Sequence, residues 1–165
     1  MIRALSFAFA LGVATQAAAE CRQALALGLD VSGSVDAREY RLQMGGLADA
    51  LNDPEVRQKL MAMPEAPVRL MVYEWSGPDD HVVVVPWSQI DSPAALDSLI
   101  ETLRQTLRRV ATPGTALGRA MLQGAAYLDQ QSSCWKRTLD LSGDGKSNLG
   151  PRPLDARRQL EGTGI

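Results

Sequence analysis

Most of the residue types that betray a function are scarce in this sequence. One histidine, His81, stands at the start of an expected strand, away from the loops, so a Ser-His-Asp triad lacks its base. Neither Ser32 nor Ser142 sits in the G-x-S-x-G turn that a serine hydrolase requires. Basic residues are not in surplus: 17 Lys and Arg face 19 Asp and Glu, giving a net charge of −2. A chain so balanced has no excess charge with which to neutralise phosphates, which argues against a nucleic-acid partner. Aromatic residues make up 5%, thin for base stacking. Beyond the N-terminus no apolar run is long enough to cross a membrane. What the chain does have is 45% hydrophobic residues over 165 positions, too apolar for disorder and long enough for one cored domain.

The N-terminus carries its own pattern. Arg3 supplies a basic start, Ala4 to Ala14 is almost wholly apolar, and Ala17-Ala18-Ala19 offers small residues ahead of Glu20. This is the layout of a secretory signal peptide over residues 1–19, cleaved before Glu20. Its apolar run of about eleven residues is too short to span a bilayer, which takes ~20. Glu20 before Cys21 is the wrong residue for lipid attachment. The domain expected to follow, residues 20–165, would then work in the periplasm or outside the cell. Cys21 and Cys134 both survive into that chain, where an oxidising compartment permits a disulfide; two residues alone leave paired and free thiols open.

Periodicity predicts an alternation of strand and helix. Ala24 to Val31 is a short apolar run suited to a strand buried on both faces. Tyr40, Met44, Leu47, Ala48 and Leu51 recur at helical spacing over Asp36 to Asn52, with Asp36 and Glu39 as a start signal. Pro54 to Met63 reads as a second helical piece. Val68 to Trp75 and Val82 to Trp87 read as a hairpin joined at Ser76-Gly77-Pro78-Asp79-Asp80. Leu96, Leu99, Ile100, Leu103, Leu107 and Val110 define the next helix, with Arg104, Arg108 and Arg109 on its solvated face. Leu117 to Leu128 is another helix, Trp135 to Leu141 a strand, and Leu154 to Glu161 a last helix. Such alternation predicts an α/β fold, a doubly wound and mostly parallel sheet with helices on both faces.

The chemistry gathers where strands run into loops. Asp30-Val31-Ser32-Gly33-Ser34 places a carboxylate and two hydroxyls at alternate positions of a Gly-containing turn, where they can converge. Asp144 follows the last strand, and Thr115 lies on a Gly-flanked loop before a helix. Open α/β sheets hold ligands at such carboxyl strand ends. Asp30, Ser32, Ser34, Thr115 and Asp144 are hard oxygen donors that suit Mg²⁺, with Mn²⁺ and Ca²⁺ also compatible. No His or Cys joins them, which disfavours zinc. Asp140 competes with Asp144, because Leu139-Asp140-Leu141-Ser142 echoes Leu29-Asp30-Val31-Ser32. Its place earlier in the strand, inside the sheet, makes Asp144 the better candidate. Gly145-Lys146-Ser147 mimics the end of a P-loop, but Asp140 stands where that motif needs Gly. An aspartyl-phosphate phosphoesterase would use Asp30 as nucleophile, yet Ser32 occupies the position of its usual second acid.

Taken in order, Asp30-x-Ser32-x-Ser34, Gly114-Thr115 and Asp144-Gly145 resemble the metal-ion-dependent adhesion site of von Willebrand factor type A domains. Tyr73-Glu74-Trp75-Ser76-Gly77 and Leu141-Ser142-Gly143-Asp144-Gly145 further resemble an uncharacterised bacterial family of exported von Willebrand-like proteins. The resemblance covers residues 21–165 and implies an antiparallel edge strand after the second strand. It also implies metal ligation by the five residues above, with one coordination position left for a carboxylate of a protein partner. In that fold the first and fourth strands are parallel neighbours, so Cys21 and Cys134 would enter the sheet at the same end and pair. Six strands are usual there, and the chain supplies four, so the expectation is a domain cut short after its last helix. Glu74 and Trp75 would either form part of a recognition rim or cap the core beneath a helix. Lys146 and Asn148 would either touch a ligand or decorate their loop. A scaffold whose site never engages a partner is the remaining expectation.

Overall fold

A computed structural model describes residues 21–143 and 145–165. The expected signal peptide and Asp144 lie outside the described residues. The strands are β1 (Gln23–Asp30), β2 (Val68–Trp75), β3 (His81–Ile90) and β4 (Arg137–Ser142), in the sheet order β3-β2-β1-β4. β1 runs parallel to both β2 and β4, and β2 pairs antiparallel with β3 across the Ser76–Asp80 turn. The helices are α1 (Ala37–Asn52), α2 (Pro54–Leu60), α3 (Pro93–Gln105), α4 (Leu117–Asp129) and α5 (Pro153–Leu160). The result is the expected mostly parallel sheet with helices on both faces.

β1 shows why the two faces differ. Its side chains alternate, sending Leu25, Leu27 and Leu29 into the larger core with Tyr40, Met44 and Ala48 of α1 and Leu96, Leu99 and Leu103 of α3. The opposite face carries Ala24, Ala26 and Gly28, and there α4 approaches closely. A Cβ on Gly28 would stand 2.4 Å from a methyl of Leu141 and 2.7 Å from the Tyr73 ring. A Cβ on Gly124 of α4 would stand 2.6 Å from the Tyr73 hydroxyl. Tyr73 thus fills a slot that two absent side chains create, and its hydroxyl donates to the Ala120 carbonyl at 2.9 Å.

Two expectations need correction. α3 ends at Gln105, and Leu107 and Val110 lie beyond it, 86% and 97% exposed, in a segment with neither helix nor strand. The apolar rhythm continues past the point where packing against β3 and α1 stops, and without that packing the helix does not propagate. Arg108 and Arg109 are therefore not on a helix face at all. β3 is also longer than the apolar run Val82 to Trp87, because Ser88, Gln89 and Ile90 continue the ladder with β2.

Cys21 and Cys134 form a disulfide across a parallel bridge just ahead of β1 and β4. It ties the sheet at the end opposite the Asp30 turn. A cavity of about 960 Å³ lies beside the outer edge of β4 between α4 and α5, lined by Met121, Leu139, Leu160 and Ile165 among others. It includes none of Asp30, Ser32, Ser34 and Thr115. Among the described residues no helix is long and apolar enough to cross a membrane.

Candidate metal centre

β1 delivers Asp30 to its carboxyl end, and the chain then turns through Ser32-Gly33-Ser34 into α1. Asp36 caps that helix, accepting from the amides of Arg38 and Glu39 while Glu39 bonds back to the Asp36 amide. The turn is held from within, because Asp30 Oδ1 accepts from the Ser32 amide at 2.8 Å. It is held from outside by Gly33, whose amide donates to the Pro113 carbonyl at 3.0 Å. Backbone lies tight there: a Cβ on Gly33 would meet the same carbonyl at 3.0 Å.

The hydroxyls then line up. Thr115 Oγ1 donates to Ser32 Oγ at 3.1 Å, and Ser32 Oγ lies 3.3 Å from Ser34 Oγ. Asp30, Ser32 and Thr115 are buried, whereas Ser34 is exposed, so the row opens to solvent at Ser34. Glycines of the loop after β4 lie close beside it. A Cβ on Gly143 would lie 3.1 Å from Asp30 Oδ2, and one on Gly145 would lie 3.5 Å from Thr115 Oγ1 and 3.6 Å from Ser34 Oγ. Four of the five sequence-predicted ligands are thus brought together. Asp144, between those two glycines, is outside the described residues. Asp140 pairs in register with Leu27 on the outer strand and is exposed rather than buried inside the sheet.

This donor set fits a hard divalent cation. Adjacent ligands of an octahedral ion bound at 2.0–2.1 Å sit about 2.9 Å apart, close to the hydroxyl spacings here. Among the described residues no group of three or more His, Cys, Asp and Glu forms a metal cluster, so hydroxyls dominate the set. Asn148 serves it indirectly. Its side-chain oxygen accepts from the Thr115 amide at 2.9 Å and its own amide donates to the Thr115 carbonyl at 2.9 Å.

Glu74 and Trp75 are not a rim. Trp75 is buried in the core, touching the Gly143 loop, and Glu74 is 2% exposed. The Tyr40 hydroxyl donates to Glu74 Oε1 at 2.5 Å, and Arg109 Nε donates to Glu74 Oε2 at 2.7 Å. Arg109 also reaches Asp80 at 2.6 Å. Arg108 donates to the Val35 carbonyl at 2.8 Å. Of the three arginines assigned to a solvated face, Arg104 and Arg108 are exposed, and Arg109 is half-buried. Burial pushes the Asp80 carboxyl up, but the Thr112 amide, the Ser76 hydroxyl and Arg109 outweigh it and hold it down at about 2. Burial and the Glu74 carboxylate push the Tyr40 phenol well above its usual range. His81 is half-buried, and burial lowers its imidazole from the ordinary value. No local sequence signal pairs Glu74 with Arg109, which stand 35 residues apart.

Solved structures share this fold at low identity. The proximal thread matrix protein 1 of the mussel byssus, with a zinc-occupied MIDAS motif, superposes with a TM-score of 0.64 at 15% identity, over 88% of this chain and 37% of that one. The conserved hypothetical protein BatB of Bacteroides thetaiotaomicron gives 0.62 at 16%, over 86% and 62%. The vWF domain of the pilus tip protein Mfa5 of Porphyromonas gingivalis gives 0.53 at 14%, over 79% and 40%. The chain spans less than two thirds of each. No curated protein matches its sequence. The fold is that of a von Willebrand factor type A domain. Residues 20–165 match the model of the family described as "Protein of unknown function (DUF1194)", and the chain belongs to that family.

Proposed function

We propose that this chain is an exported, divalent-cation-dependent protein-binding module and not an enzyme. The observation that carries the reading is the buried contact of Thr115 with Ser32, which joins two loops 83 residues apart into one row of hard oxygens. Asp30, Ser32, Ser34, Thr115 and Asp144 would hold the cation, Mg²⁺ in the first instance, with Mn²⁺ or Ca²⁺ as alternatives. Asp144 is included for its sequence position after β4, and the closeness of Gly143 and Gly145 to the donors supports including it. Bound there, the cation would supply a positive centre for a carboxylate of a protein partner. Two carboxylates do no more than offset a divalent charge, so an acidic ligand is still attracted. Exposure of Ser34 puts the open side of the row where a partner can reach it. Likeness to a protein with a zinc-occupied MIDAS motif and to a pilus tip domain supports the reading. The leader-like residues 1–19 and the disulfide support export to the periplasm or beyond.

Partner retention on the immobilised protein tests it. Retention in Mg²⁺ should be reversed by EDTA and absent for Thr115→Ala. Retention indifferent to both would contradict the reading. Hydrolysis of phosphate esters that vanishes in Asp30→Asn would replace it with the phosphoesterase alternative.

A further inference from the structure

The segment from Thr106 to Ala116 carries Thr115 to the site, yet it has no helix or strand of its own. Such a loop would ordinarily move, and a ligand on a mobile loop binds weakly because binding must first order it. Here a half-buried ionic clamp takes the place of secondary structure. Arg109 lies between two carboxylates, Glu74 at the end of β2 and Asp80 at the end of the hairpin turn. The outer oxygen of Asp80 accepts from the Thr112 amide at 2.7 Å and from the Ser76 hydroxyl at 2.7 Å. The Ser76 carbonyl in turn accepts from the Ala116 amide at 2.8 Å, directly beside Thr115. Tyr40, from α1, completes the pocket around Glu74.

We infer that Arg109, set between Glu74 and Asp80, is a positioning residue that fixes the 106–116 loop and so holds Thr115 against Ser32 for cation binding. This rests on the metal reading above, and it adds a group that touches neither the cation nor a partner. Its planar guanidinium suits the task, since Nε and a terminal nitrogen address two acids in fixed directions. Lysine offers a single charged point and would hold one acid at a time.

The test combines hydrogen exchange of the metal-free protein with calorimetric titration of Mg²⁺ and Mn²⁺. Arg109→Met should speed exchange of the Thr112, Thr115 and Ala116 amides while leaving the amides of β1 and β2 protected. It should weaken metal affinity about tenfold to a hundredfold, as loss of an outer support does at other metal sites. Arg109→Lys should restore part of both. If Arg109→Met does not fold, Asp80→Ala serves instead, since it leaves the Glu74–Arg109 pair intact and frees the Thr112 amide. A variant that matches wild type in loop exchange and in affinity overturns the proposal. Wild type that binds neither metal overturns the reading beneath it, and the exchange data still decide whether Arg109 fixes the loop.

Discussion

A serine or threonine hydroxyl is a poor metal ligand in water, and on the proposed reading Ser32, Ser34 and Thr115 would become a donor set through placement alone. Burial of Ser32 and Thr115 removes competing water, and the glycines at 143 and 145 let the loop after β4 come within contact distance. Their residue types and their local turns are visible in the sequence, because D-x-S-x-S is a short-range pattern. Thr115 is recognisable by its Gly-flanked loop, although its partner lies far away in the chain. Glu74, Arg109 and Asp80 are not legible as a unit, since nothing local distinguishes a half-buried, paired arginine from a solvated one. Asp80 makes that unit testable by acid. Its carboxyl titrates at about 2 in the folded chain against an ordinary value of 3.8, so the folded state favours the charged form. Stability from this source is complete above about pH 4 and is lost as the pH falls through about 2, amounting to about 2 kcal/mol. Asp80→Asn should therefore be less stable at neutral pH and lose less on acidification, as read by denaturant midpoints across that range. Equal acid slopes for the two proteins would contradict this.

At the level of elements, the alternation of apolar strands with amphipathic helices foretold each strand and helix to within a few residues, apart from the end of α3 and the length of β3. Both departures have tertiary causes. α3 stops where there is nothing left to pack against, and β3 extends because β2 offers it a longer ladder. The small residues of β1 show no role in the sequence alone, because what they make room for, Tyr73 and α4, comes from distant parts of the chain. The disulfide belongs to this scale too, because it ties the entrances of β1 and β4, separated by 113 residues. Chain-entropy arguments give a link of that length up to about 4–5 kcal/mol. Cys21→Ser with Cys134→Ser should unfold at markedly lower denaturant than wild type. Because the bond lies at the far end of the sheet from Asp30, metal affinity of the folded variant should stay within about twofold.

For the whole molecule, the proposed function is that a sheet delivers several loops to one edge, where hydroxyls and carboxylates would bind a divalent cation whose coordination a protein partner would complete. The turn at Asp30 and the loop of Thr115 meet at that edge, while the disulfide ties the opposite end of the sheet. A cation that binds the folded chain alone would also raise its stability, by about 2.7 kcal/mol at a hundred times its dissociation constant. The most direct measurement is a calorimetric titration of Mg²⁺ and of Mn²⁺ into wild type and Asp144→Ala. Saturable binding of at least one of the two at a single site in wild type, lost in the variant, is the predicted result; wild type that binds neither ion would contradict the account.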